Sequence, residues 1–214
     1  MLRSSLRDIA RNDAGFFLKD LMKREYYSDS IQNFLKAKPD EILGVLTKNS
    51  EFAVLEGQTM AWLTEIGILQ EVLVGRQGSI YFEYSIPRMG KRIDALLLLG
   101  PAIFVLEFKI GSEEFASAAL DQVWDYALDL KNFHETSHNP FIAPILIATE
   151  SIPSDFSVAA TAQDDKILFP IKCNTSTLRK AIESVLSFVD VEKGEKIDAV
   201  KWEAGRYSPT PVFS

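Results

Sequence analysis

Arg92-Ile-Asp-Ala-Leu-Leu-Leu-Leu99, Gly100-Pro101 and Ala102-Ile-Phe-Val-Leu-Glu-Phe-Lys-Ile110 follow one another in the middle of the chain, and their reading decides the fold. Both arms are apolar at nearly every position, which predicts strands covered on both faces and central in a sheet. The short Gly-Pro connection predicts that they pair as a hairpin. Upstream, Ser-Ile-Tyr-Phe-Glu-Tyr-Ser-Ile (79–86) is aromatic and β-branched, set off by Gly75 and Gly78, and predicts a third strand. Before it a helix is expected over about residues 52–73, with Trp62, Ile66, Leu69 and Leu73 in one apolar stripe. Further upstream, apolar residues from Phe16 to Leu46 recur at spacings of one, three or four, broken at Pro39-Asp40. That pattern predicts a helical lobe over residues 1–50, packed on a core spanning 51–191.

Downstream of the hairpin a helix is expected over 113–133, strands over 141–149 and 166–173, and a closing helix over 175–189. Such an order fits an α/β sandwich, a mixed central sheet flanked by helices. Residues 192–214 read as an extended tail: Lys193-Gly194-Glu195-Lys196 is a polar turn, and Ser208-Pro209-Thr210-Pro211 must run extended. The 214 residues carry 47% hydrophobic and 25% charged side chains, the profile of an ordinary soluble protein. No apolar run approaches the ~20 residues needed to cross a bilayer. The N-terminus lacks a secretory pattern, and the single cysteine, Cys173, suits a reducing cytoplasm. A net charge of −7 weighs against broad affinity for nucleic acid, because an acidic surface repels phosphates.

Three charges interrupt the apolar strands: Asp94 in the first arm, Glu107 and Lys109 in the second. Side chains alternate across a strand, so Glu107 and Lys109 share one face, and hairpin pairing brings Asp94 beside Glu107. Buried charges persist when paired or coordinated to metal. Two adjacent carboxylates suit a hard divalent cation, and a neighbouring lysine suits an attacking water, the parts of metal-assisted phosphodiester hydrolysis. The bland alternative is an ion pair at an exposed sheet edge, with Asp94 in a turn. Gln122 and Tyr126 stand one helical turn apart and could reach the same site. Glu65 flanks the apolar stripe of its helix and is a better companion than Glu56, which lies about half a turn round. Arg88, Lys91 and Arg92 precede Asp94, either to meet phosphates or as a solvated turn. His134 and His138 lack further zinc ligands at a matching spacing, Cys173 reads as a small buried hydrophobe, and Asp164-Asp165 as a loop.

Asp94 followed by Glu107-Phe-Lys109 resembles the PD-(D/E)XK nuclease superfamily, and Gln122-x-x-x-Tyr126 the helix motif of its recombination-exonuclease branch. The resemblance implies a restriction-endonuclease-like fold with Mg²⁺ or Mn²⁺ held by Asp94, Glu107 and Glu65. It also implies that Lys109 serves the nucleophilic water and that Gln122 and Tyr126 support it. Ile93 stands where the superfamily often has proline. The stretches 81–94 and 121–134 are similar to the N-terminal region of prokaryotic proteins carrying a Schlafen-type DNA/RNA helicase ATPase domain. The tail is similar to the segment leading into that ATPase. No Gly-x-x-x-x-Gly-Lys-Ser/Thr phosphate loop occurs here, so the implied motor would lie beyond this chain. Three functions remain open: a metal-dependent nuclease domain acting on DNA ahead of RNA, an inactive domain of the same fold that binds nucleic acid or a partner, and an unrelated α/β domain.

Overall fold

A computed structural model describes residues 24–51, 53–87, 90–153, 155–161, 166–191 and 195–208. In chain order the elements are β1 (Tyr27–Ser30), α1 (Ile31–Phe34), α2 (Pro39–Asn49), α3 (Glu56–Val72), β2 (Ser79–Ile86), β3 (Lys91–Leu99) and β4 (Ala102–Lys109). These are followed by α4 (Ser117–Phe133), β5 (Phe141–Ala148), β6 (Ile171–Cys173), α5 (Leu178–Val191) and α6 (Ala199–Glu203). The six strands form one mixed sheet in sequential order, antiparallel from β1 to β4 and parallel from β4 to β6. β3 and β4 are therefore interior, as their largely apolar sequences predict. Their turn uses Gly100 at φ +57, a conformation that costs glycine little. Gly78 leads into β2 where a Cβ would collide with the Leu98 carbonyl oxygen.

Each face of the sheet buries its own core. The larger joins Phe82, Leu97, Phe104 and Ile145 of the sheet to Ile42 of α2, Trp62, Ile66 and Leu69 of α3, and Ile182 and Val185 of α5. The smaller joins Tyr81, Leu96, Val105 and Leu146 to Val123, Tyr126 and Leu130 of α4 and Trp202 of α6. Helices thus cover both faces, so the architecture is α/β.

Four expected elements differ. Residues 27–30 form an edge strand on β2, not helix; β1 owes its extension to that pairing. Helix α4 begins at Ser117 rather than 113, because residues 112–114 fold back through a Ser112 Oγ bond to the Glu114 carbonyl at 2.9 Å. Strand β6 is shorter than 166–173. Ile167 and Leu168 make only isolated bridges, and the ladder resumes after Pro170, which has no N–H to give. The tail is not wholly extended: Asp198 caps helix α6 at its Lys201 N–H, and Trp202 sits 1% exposed against the smaller core. Ser208 N–H then donates to the Phe133 carbonyl at 2.9 Å. The expected apolar stretch at 16–22, Arg88, Asp164-Asp165, and the Pro209–Pro211 run lie outside the described residues.

Candidate metal centre

Midway along β2 and β3 the alternation of faces breaks. Phe82 pairs with Ala95, and both lie in the larger core; Tyr84 pairs with Ile93, and both lie in the smaller. Residues two apart in a regular strand share a face, so the phase reverses at the intervening pair, Glu83 and Asp94. Glu83 carries φ +53, the one positive φ at a non-glycine position among the described residues, on the order of 1–2 kcal/mol uphill. The β3–β4 ladder ends at Ala95↔Leu106, and beyond it the Asp94 carboxylate takes the place of a backbone partner. Phe108 N–H donates to Asp94 Oδ2 at 2.8 Å.

Glu107 and Lys109 share a face of β4, with Lys109 Nζ 2.7 Å from Glu107 Oε1. Glu107 is 2% exposed on an interior strand, so this is no edge ion pair. Lys109 is the more open partner and stands at the mouth. Glu65 of α3, 4% exposed, completes the set, while Glu56 and Glu71 are exposed. Glu65, Asp94, Glu107 and Lys109 line one open cleft of about 390 Å³ between the N-terminal halves of α3 and α4, with Gln58 and Ala119 on its walls. In α4, Gln122 Nε2 donates to Tyr126 Oη at 2.7 Å, and Tyr126 is buried next to the carboxylates rather than on the cleft wall.

Electrostatics mark the cleft as a place that resists negative charge. Burial, then repulsion from Asp94, Glu83 and Glu107, pushes the Glu65 carboxyl well above the usual carboxylate range. Burial and the Glu107 charge do the same to Asp94, against the opposing Phe108 hydrogen bond. Burial raises Glu107, opposed by Lys109 and Lys91. Burial, with the charges of Glu107, Asp94 and Glu83 and against the Gln122 hydrogen bond, pushes the Tyr126 hydroxyl up to about 12. Two oxygens, Glu65 Oε2 and Glu107 Oε2, are buried with no hydrogen-bond partner. An unsatisfied buried acceptor is costly, and an oxygen-seeking cation would satisfy both. As the side chains stand, no three carboxylates among the described residues converge on one point, because Asp94 turns to Phe108 and Glu107 to Lys109. The residue types and the cleft fit a hard cation; gathering the oxygens round it requires side-chain rotation.

The basic residues before Asp94 divide. Lys91 is exposed and its charge is felt at Glu107. Arg92 is engaged within the fold: it donates to the Glu83 carbonyl at 2.9 Å, pairs with Glu51 at 2.8 Å and lies 4.0 Å over the Tyr26 ring. His134 is buried against Trp202 and shares a 2.7 Å hydrogen bond with Ser137 Oγ. Burial also pushes the Cys173 thiol up to about 12, in keeping with a buried hydrophobe.

Sequence reasoning passed over Glu83. Its Oε1 accepts from Trp62 Nε1 at 2.7 Å and from Gln58 Nε2 at 3.3 Å, tying β2 to α3. The signal was present, since a carboxylate between Phe82 and Tyr84 interrupts an apolar strand just as Asp94 and Glu107 do. No family model, curated protein or solved structure matches the chain.

Proposed function

We propose that this chain is a divalent-metal-dependent nuclease domain of the PD-(D/E)XK kind, hydrolysing phosphodiester bonds of DNA ahead of RNA. The observation that carries the reading is the pair of buried, unpartnered oxygens on Glu65 and Glu107, in one cleft with Asp94 and with Lys109 at its mouth. Asp94, Glu107 and Glu65 would hold Mg²⁺ or Mn²⁺. When bound, such an ion lowers the pKa of water and offsets charge on phosphate. Lys109 would orient the attacking water; as the water oxygen bonds phosphorus and the P–O ester bond breaks, the water gives up a proton, the departing alkoxide takes one up, and the Lys109 ammonium would offset the negative charge that grows between them. Tyr126, steadied by Gln122, backs the carboxylates, and Lys91 offers an exposed cation beside them. A restriction-endonuclease-like fold and attachment to a Schlafen-type helicase ATPase belong to the same reading, the motor supplying the grip that a net charge of −7 denies the domain. A cytoplasmic setting accords with it, and no described helix is long and apolar enough to cross a membrane.

The divergence of the three carboxylates favours a second reading, an inactive domain of this fold that binds nucleic acid or a partner. One assay separates the two. Single- and double-stranded DNA are incubated with the protein in Mn²⁺ or Mg²⁺, beside Glu107→Gln and Lys109→Ala. The nuclease reading expects cleavage that falls by roughly 100-fold or more in each variant. Cleavage that survives both substitutions, or binding with no cleavage in either metal, contradicts it.

A further inference from the structure

Glu83 stands behind the cleft rather than on its wall, yet three features converge on it. Its left-handed backbone coincides with the phase reversal that takes Asp94 out of the regular alternation of β3. Its carbonyl accepts from Arg92, the second residue of β3, which fixes the strand pair at the reversal. Its carboxylate accepts from Trp62 and Gln58 of α3, and Trp62 precedes Glu65 by three positions, on the same face of that helix. One residue therefore ties together, by its backbone and its side chain, the stretch of β3 that aims Asp94 and the helix that carries Glu65. A left-handed glutamate is strained, and such strain persists where the surroundings over-determine it. Here the surroundings are the hydrogen bonds just named.

We propose that Glu83 is a positioning residue, holding Glu65 and Asp94 at the separation a shared cation needs through its bond to the Trp62 indole. The proposal rests on the metal-dependent reading of the cleft. Glu83 acts as an acceptor and as a backbone hinge; it does not touch the ion. Groups that orient metal ligands from behind typically change affinity about 10- to 100-fold when removed.

The test is Mn²⁺ affinity by titration calorimetry on the full chain, with thermal melting as the check on folding. Glu83→Gly keeps the left-handed backbone at little steric cost and removes the acceptor. Trp62→Phe removes the donor and keeps most of the ring. Each is expected to weaken Mn²⁺ binding by about 10- to 100-fold, and the double variant no further than the worse single, because the bond that Trp62→Phe removes is among those that Glu83→Gly already removes. Glu83→Gln preserves an acceptor oxygen at the same reach and is expected to stay near wild-type affinity. Unchanged binding by Glu83→Gly, additive losses in the double variant, or a Glu83→Gln as weak as Glu83→Gly overturns the positioning role. If the wild type binds and Glu107→Gln does not, such a result leaves the metal site standing. A wild type that binds no Mn²⁺ overturns both.

Discussion

In the folded chain the carboxyls of Glu65, Asp94 and Glu107 are each pushed above the usual carboxylate range, chiefly because burial penalises their charges. A carboxyl whose folded pKa exceeds its unfolded value stabilises the fold only while protonated. That contribution is present at low pH and lost as pH rises through the folded value. Melting temperature measured without divalent ions is therefore expected to benefit from acidification between about pH 8 and about pH 5 by more in the wild type than in Glu65→Gln. At the alkaline end Glu65→Gln is expected to melt higher than the wild type, since it removes a buried charge; a lower melting temperature there would contradict the assignment. His134 works in the opposite direction. Burial and the nearby Arg24 lower it to about 3, so the unfolded chain takes up a proton first and stability falls as pH drops below about 6.5. His134→Gln should flatten that limb of the profile, and an unaltered limb would place the acid sensitivity elsewhere.

Among the elements, those dictated locally were legible and those dictated by partners were not. β3 and β4 announce themselves because residues 95–99 and 102–106 are apolar without a break, which an interior strand favours. β1 is Tyr-Ser-Asp-Ser, a polar segment that becomes a strand because β2 offers it an edge, and the apolar spacing running through it reads as helix. Helix α6 is five residues long, too short to hold by propensity, and is fixed by Trp202. Trp202 packs on Tyr81, Tyr84 and His134 and donates to Ser137 Oγ at 2.9 Å. Trp202→Ala is expected to cost about 3–5 kcal/mol in denaturant unfolding, the range for emptying a buried aromatic site. A loss below about 1 kcal/mol would mean that the segment 195–208 docks without it.

Across the whole molecule, a sheet covered on both faces brings α3, β3 and β4 to one cleft, and this convergence underlies the functional reading. The sequence picked out Asp94, Glu107, Lys109 and Glu65, because charges in apolar runs and helix phase are readable one element at a time. It missed Glu83, whose importance lies in a backbone reversal and a bond to Trp62 that appear only on folding. Cation-dependent DNA binding is a consequence at this scale. With a net charge of −7, the isolated chain is expected to bind DNA weakly in chelator and more tightly in Ca²⁺, as read by fluorescence anisotropy; equal affinity in the two would argue against an ion in the cleft. The most direct measurement is anomalous X-ray diffraction from crystals soaked in Mn²⁺. The account predicts a peak in the cleft within coordination distance of the Asp94 and Glu107 carboxylates, absent from Glu107→Gln crystals. A cleft free of anomalous density while the rest of the protein is well ordered would contradict it.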